Sequence, residues 1–279
     1  MNKFLARAAV FCAVLCLEPR ASRADSGGQP PWEPYTSGPF LAGDAEVVPM
    51  GTWWLRPLTY FQNLGDGKYE AINTENVGVG LGNRLAFNAS VPLVPYQTQN
   101  YFQEQQYWFK WEFMHDRDTY HIAGQSYGVE ARFVDQTDAD KEGVFFLSHD
   151  RFKSLQFYAQ LGAFSPNPVT NAGQPQSING VIFNYDLSLE HILNDSMNAG
   201  YILEAFGQNQ SNYSFYGTTN APGWGYLSIA PEFEFDWPNK KSFAIAWQAG
   251  VFLPVYAHNY VYGLMPVLSM IYHFNWGDD

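Results

Sequence analysis

The chain has 279 residues, a formal net charge of −12, and 46% hydrophobic, 18% aromatic and 15% charged residues. The charged fraction lies well under the about 25% of an average soluble domain, and so aromatic a chain is not a disordered one, which needs few aromatics and much charge. The acidic balance argues against nucleic acid as a partner, which requires a basic face, and after the first twenty residues no stretch approaches the roughly 18 consecutive apolar residues of a helical membrane span.

Residues 1–24 read as a secretory signal peptide. Lys3 and Arg7 give the positive end, Phe4 to Leu17 the apolar stretch, and Ser22-Arg23-Ala24 the small residues for cleavage near Ala24. Cleavage there removes Cys12 and Cys16, the two cysteines of the chain. The remainder then has no thiol for a disulfide, for thiolate catalysis or for a metal. Residues 25–49 form a second segment, rich in Pro, Gly and Ser and without periodicity. Its prolines forbid ladder pairing, while Trp32, Tyr35 and Phe40 are costly to leave in water. The expectation is an irregular periplasmic arm, either folded as a plug into the mouth or lumen of the domain on its C-terminal side or left as a disordered leader.

From Gly51 onward the dominant period is 2, the signature of half-buried strands. Tyr107, Phe109, Trp111 and Phe113 alternate with Trp108, Lys110, Glu112 and Met114. Tyr127, Val129, Ala131 and Phe133 alternate with Gly128, Glu130, Arg132 and Val134. The same pattern recurs at 155–162, 181–190 and 232–237. Twelve strands are predicted, near 51–61, 71–82, 84–94, 105–115, 119–134, 143–148, 152–164, 178–191, 198–209, 224–236, 242–253 and 264–276. Tight turns are expected at 82–84, 115–118, 149–150, 193–196 and 238–240. Longer loops are expected at 62–70, 95–104, 135–142, 165–177, 210–223 and 254–263. This alternation of short and long connections is that of a transmembrane barrel, whose even strand number places both ends on the periplasmic side.

Alternation alone does not say which face meets water. Large aromatics near strand ends (Trp53, Tyr107, Trp111, Tyr127, Trp237, Tyr272) suit the aromatic belts of a membrane interface. Twelve strands also enclose too wide a lumen for apolar side chains to fill. The fold expected over 50–279 is therefore an all-β, transmembrane, antiparallel up-and-down barrel with outer-membrane lipid on its apolar face. The last strand, Leu268, Met270, Tyr272, Phe274 and Trp276 alternating with polar residues, is the type read by barrel assembly machinery. Gly277-Asp278-Asp279 after it departs from a strictly terminal aromatic.

Three passages resemble one family: Pro49-Met50-Gly51-Thr52-Trp53 at the first strand, Tyr185-Asp186-Leu187-Ser188-Leu189-Glu190 followed by a turn and Gly200-Tyr201-Ile202-Leu203-Glu204-Ala205-Phe206-Gly207, and Leu268-Ser269-Met270-Ile271-Tyr272-His273-Phe274. They are similar to the outer-membrane proteins named for the MetA pathway of phenol degradation. The resemblance implies a transporter-like barrel in the outer membrane of a Gram-negative bacterium, passing small, often aromatic or hydrophobic compounds.

The polar strand faces assign charges to the lumen: the acids Glu112, Glu130, Asp186, Glu190, Glu204, Glu232, Glu234 and Asp236, and the bases Arg56, Lys110 and Arg132. An excess of acid favours cations in an open pore; alternatively these charges pair across strands and fill the barrel, as Lys110 beside Glu112 and Glu130 beside Arg132 suggest. Glu232, Glu234 and Asp236 form a row with about 7 Å between neighbours, read as a solvated wall in preference to a cation site. His115, His121, His149, His191, His258 and His273 are scattered, with His115 and His149 expected in turns and no His-x-x-x-His spacing. No metal site, cofactor or catalytic constellation is expected; a Ser–His phospholipase cluster is not found, and Gly78-Val79-Gly80-Leu81-Gly82 lies within a strand where a nucleotide loop would lead into a helix. The function expected is passive uptake or efflux of a small-molecule substrate, without enzymatic activity. The alternative is a closed structural or adhesive barrel whose external loops bind a partner.

Overall fold

The structure, a computed structural model, describes residues 43–48, 50–65, 68–93, 105–117, 123–135, 141–166, 169–171, 174–176, 180–194, 199–210, 213–215, 218–221, 223–240, 243–258 and 264–275. The signal peptide, most of the 25–49 arm with Trp32, Tyr35 and Phe40, and the chain end from Trp276 lie outside the described residues. In chain order the strands are β1 (Thr52–Gly65), β2 (Lys68–Gly82), β3 (Leu85–Leu93), β4 (Gln105–Arg117), β5 (Ala123–Asp135), β6 (Lys141–Phe152), β7 (Leu155–Pro166), β8 (Val169–Asn171), β9 (Gln174–Gln176), β10 (Ile182–Asn194), β11 (Ala199–Gln210), β12 (Tyr213–Phe215), β13 (Thr218–Ala221), β14 (Trp224–Lys240), β15 (Phe243–His258) and β16 (Met265–Asn275).

Twelve of these close into one antiparallel barrel, in the order β1-β16-β15-β14-β11-β10-β7-β6-β5-β4-β3-β2. Each barrel strand pairs with its chain neighbour in the ring, and β1 closes on β16 from Thr52↔Asn275 to Tyr60↔Val267. The two short hairpins, β8–β9 and β12–β13, lie in the connections β7–β10 and β11–β14. Three connections at the end where β1 begins are only two residues long: 83–84, 153–154 and 241–242. At the first, Asn83 and Arg84 both have positive φ, 51° and 59°, the geometry of a type I′ hairpin turn that asparagine tolerates well. Prolines are accommodated one-sidedly. The β1–β2 ladder runs unbroken through Pro57↔Glu75, while the β1–β16 ladder lapses between Leu55↔Tyr272 and Leu58↔Ser269. The missing N–H thus affects only one neighbour.

The two faces of the wall are inverted relative to a soluble barrel. Phe146, Leu161, Leu187 and Leu203 are more than half exposed on the outside, whereas Glu190, Glu204 and Glu234 on the inside are at most 1% exposed. Apolar side chains outward and polar side chains inward is the arrangement that lipid selects. The longest strands, β14 with 17 residues, β15 with 16 and β2 with 15, exceed the 9–11 residues needed to cross the hydrocarbon core. Their ends therefore project beyond it.

That extension corrects several expected turns. β6 is not a short strand ending at residue 148: Phe145, Leu147 and His149 continue its inner face, Arg151 pairs with Gly124 and Gln156, and the reversal falls at Lys153 with φ of 53°. His149 therefore lies in a strand, and so does His115, since β4 runs to Arg117. The overlong fifth strand begins only at Ala123. The expected loop 62–70 is mostly ladder, closed by Gly65↔Lys68, and 238–240 pairs through Lys240↔Phe243. Polar residues at these places stand on strands that rise past the lipid, where polarity no longer marks a turn.

Candidate functional site in the barrel interior

The strands place the predicted charges on the inner wall. Glu112, Glu130, Asp186, Glu190, Glu204, Glu232 and Glu234 are all buried, and Arg56, Lys110 and Arg132 share their face by register: Arg56 opposite inward Asn76, Lys110 opposite Glu130, Arg132 opposite Trp108. Asp236 pairs with Ala246 in the β14–β15 ladder. Its side chain is outside the described residues.

The interior is layered along the barrel. Toward the longer loops lies an aromatic and aliphatic tier. Leu58, Phe206, Ala230, Phe252, Met265 and Val267 cluster with Tyr60 and Tyr226, and Val134, Phe145, Phe164 and Ile182 cluster with Trp224. Phe206 meets Phe252 edge-on at 4.8 Å, Phe145 meets Phe164 at 4.9 Å, and Trp224 stacks parallel to Tyr226 at 6.4 Å. The Phe145 ring is accommodated by glycine: it stands opposite Gly162, where any Cβ would collide with it.

Below this tier the wall is polar. Arg56 donates through Nε to Ser269 Oγ at 3.0 Å and through Nη2 to Gln248 Oε1 at 2.6 Å, and Gln248 Nε2 donates to Glu232 Oε2 at 2.8 Å. Arg132 donates to Glu130 Oε2 at 2.8 Å and to Gln160 Oε1 at 2.7 Å, with its guanidinium 4.3 Å from the centre of the Phe145 ring. The buried carboxylates of Glu130 and Glu232 thus meet a guanidinium and an amide partner, the condition for holding charge away from water, while Asp186 Oδ1 and Glu232 Oε1 are buried without a hydrogen bond among the described residues.

A chain segment occupies this polar tier. Residues 43–48, the described end of the 25–49 arm, run along the inner face of β4–β7. The Gly43 amide donates to Gln160 Oε1 at 3.0 Å, Lys110 Nζ donates to the carbonyls of Asp44 at 2.8 Å and Glu46 at 2.6 Å, and the Val47 amide donates to Glu112 Oε2 at 3.4 Å. Ala45 is fully buried, and its carbonyl packs closely on β5: a Cβ at Gly128 would stand 3.3 Å from its oxygen. Asp44 Oδ1 lies 3.1 Å and Glu46 Oε1 3.5 Å from Nδ1 of buried His149. Of the charge pairs expected from neighbouring positions, Glu130–Arg132 forms at 2.7 Å. Lys110 is directed to the segment's carbonyls, and Glu112 to His115 at 2.5 Å.

Sequence reasoning missed Asp44, Glu46, His115 and His149 as interior groups. For His149 a signal existed, because it continues the alternation of Phe145 and Leu147. For His115 a bulge intervenes: the register shift between Glu112 and Met114 turns both Phe113 and Met114 outward and His115 inward, opposite Ser126. No alternation shows such an inserted residue.

No family model matches the sequence, and no curated protein matches it. Among solved structures, the chain is similar to the COG4313 outer membrane channel from Pseudomonas putida F1, with a TM-score of 0.57 at 9% identity over 83% of this chain and 98% of that one. Further matches are OprD from Pseudomonas aeruginosa (TM-score 0.42, 7% identity, 80% of this chain and 66% of that one) and a bacterial polysaccharide outer membrane secretin (0.40, 10%, 81% and 99%). At 9% identity the likeness to the Pseudomonas putida channel is one of fold: this chain is an antiparallel twelve-stranded β-barrel of the kind found among outer membrane proteins.

Proposed function

We propose that this protein is an outer-membrane channel of a Gram-negative bacterium that passes small molecules and favours cations over anions. The observation that carries the reading is the inverted wall: an apolar, exposed outer face around an interior of buried carboxylates with few bases. Such a lining attracts cations and repels anions. The fold-level likeness to a solved outer membrane channel supports the same class. Passage of aromatic or hydrophobic compounds is the finer proposal. It rests on the resemblance to the MetA phenol-degradation proteins and on the aromatic tier around Phe206, Tyr226 and Phe252, through which a flat apolar solute would pass before the polar tier. The 43–48 segment against β4–β7 narrows the polar tier, so conduction is small or intermittent while it is in place.

The test is reconstitution of the folded protein in a planar bilayer, with conductance and reversal potential measured across a salt gradient. Small or intermittent conductance with cation preference is expected from the whole protein and a larger, steadier one after deletion of 25–48, and the preference should fall when Glu204, Glu232 and Glu234 are replaced together by glutamine. Anion preference would overturn the role given to the carboxylates. Absence of conductance, both in the whole protein and after deletion of 25–48, would favour a closed barrel. The short hairpins β8–β9 and β12–β13 in its loops would then be the places to seek a partner.

A further inference from the structure

The side chains of Asp44, Glu46 and His149 converge although they come from two separate parts of the chain, the inward-lying segment and the wall strand β6. One ligand atom from each lies within 4.8 Å of the others. We infer that these three residues bind a first-row divalent cation such as Zn2+, which fastens the segment to the barrel wall.

The geometry is close to that of a bound ion. Two ligands each about 2.1 Å from a tetrahedral metal stand roughly 3.4 Å apart, and the separations from His149 Nδ1 are 3.1 Å to Asp44 and 3.5 Å to Glu46. The ring is already held in place. Its Nε2 lies 2.7 Å from Gln156 Oε1, and its face stacks on Tyr158 at 4.3 Å. An orienting partner on the second ring nitrogen is the usual support of a metal-bound histidine. The carboxylates are presented by the backbone: Lys110 grips the carbonyls of residues 44 and 46, and the Glu46 amide donates to Asp44 Oδ1 at 2.8 Å. Charge favours the same conclusion, because two carboxylates balance a divalent cation inside a wall where uncompensated charge is costly. The mixed imidazole and carboxylate set suits zinc and its first-row neighbours. Asp44 is 33% exposed while His149 is 6% exposed, which leaves a route for the ion and room for a water ligand.

Binding is read without reference to conduction, so the site and the channel can fail separately. The untagged full chain, refolded in detergent and stripped with EDTA, is titrated with Co2+ and followed by visible absorbance. One Co2+ per barrel, displaced by Zn2+, is expected. H149Q, D44N and E46Q should each weaken binding by more than the about 10–100-fold that loss of an outer partner costs, and Gln156→Ala by about that amount. H191Q, on the outer face, should bind as the parent does. D44N and E46Q lie outside every strand, so barrel closure does not depend on them, and heat-shifted gel mobility verifies folding of each variant. Zn2+ should also slow proteolysis within 43–48 in the parent but not in D44N. Saturable binding unchanged by D44N and E46Q, or none below millimolar Co2+ in folded protein, overturns the site.

Discussion

Replacement of Arg56 by methionine tests whether the buried acids depend on the few bases. Arg56 donates to Ser269 at 3.0 Å and to Gln248 at 2.6 Å, and through Gln248 it is linked to Glu232. Its charge faces the buried carboxylates of Glu232, Glu204 and Glu234, exposed by 4%, 0% and 1%. Loss of two bonds to a charged group costs about 1.5–3 kcal/mol each, and removal of one partner from a buried charge cluster about 3–5 kcal/mol. The two figures describe the same loss and are not summed. The two figures agree at about 3 kcal/mol, which is the loss expected. Urea unfolding of the barrel in lipid vesicles, followed by tryptophan fluorescence, reads it directly. In a double-mutant cycle, E232Q in the R56M background should recover more than about 0.5 kcal/mol, the limit for independent sites. If R56M unfolds within about 0.5 kcal/mol of the parent and the cycle shows no coupling, the carboxylates are held by something other than this arginine, and the account of the polar tier is wrong.

Two further substitutions separate the segment from the wall. Lys110→Ala removes the donor to the Asp44 and Glu46 carbonyls, at about 1.5–3 kcal/mol for each charge-assisted bond. Proteolysis within 43–48 should accelerate while the urea midpoint of the barrel changes little, because that segment takes no part in the ladder; a large shift in the midpoint with unchanged proteolysis would contradict this. Phe145→Ala empties the space between Gly143, Gly162 and Phe164 and leaves the Arg132 guanidinium without the ring beneath it. A loss of about 3–5 kcal/mol is expected, measured by the same unfolding assay, and a loss under about 1 kcal/mol would mean that the aromatic tier is loosely packed.

Much of this architecture is readable in the sequence because a strand has a period of 2. Glu190, Glu204 and Glu234 could be assigned to the interior one strand at a time, since each is flanked by Leu189, Leu203 or Phe233 on the opposite face. The period also located all twelve barrel strands, with errors concentrated at their ends. Those errors share a cause. Where β6 and β14 rise past the hydrocarbon, His149, Asp150 and Asn239 are compatible with pairing, yet composition alone marks them as turn residues. The arm was a different case. Its prolines and aromatics suggested an inward-folded segment, but its polar residues Asp44 and Glu46 carried no periodicity that could relate them to a histidine 105 positions away.

What alternation cannot supply is height along the barrel. It assigns a residue to the inner or outer face, whereas neighbours within the lumen are set by the stagger between strands. Glu204 stands opposite Ser188 on one side and Ala230 on the other, and Glu232 stands opposite Ile202. These pairings put Glu204 and Glu232 one step apart in the same tier, and Arg56 reaches that tier only because β1 closes on β16 with Leu58 opposite Ser269. A slip of a single residue in any one ladder would turn that strand's charges toward lipid, so the register that closes the barrel is also what assembles its charged interior. Bulges adjust this relation locally. The one between Glu112 and Met114 brings His115 to Glu112, where an unbroken strand would have turned it toward the membrane. The chemistry of the lumen is therefore a property of the ladder registers as a set, and a substitution that shifts one bulge should change the interior as much as a substitution of a lumen residue.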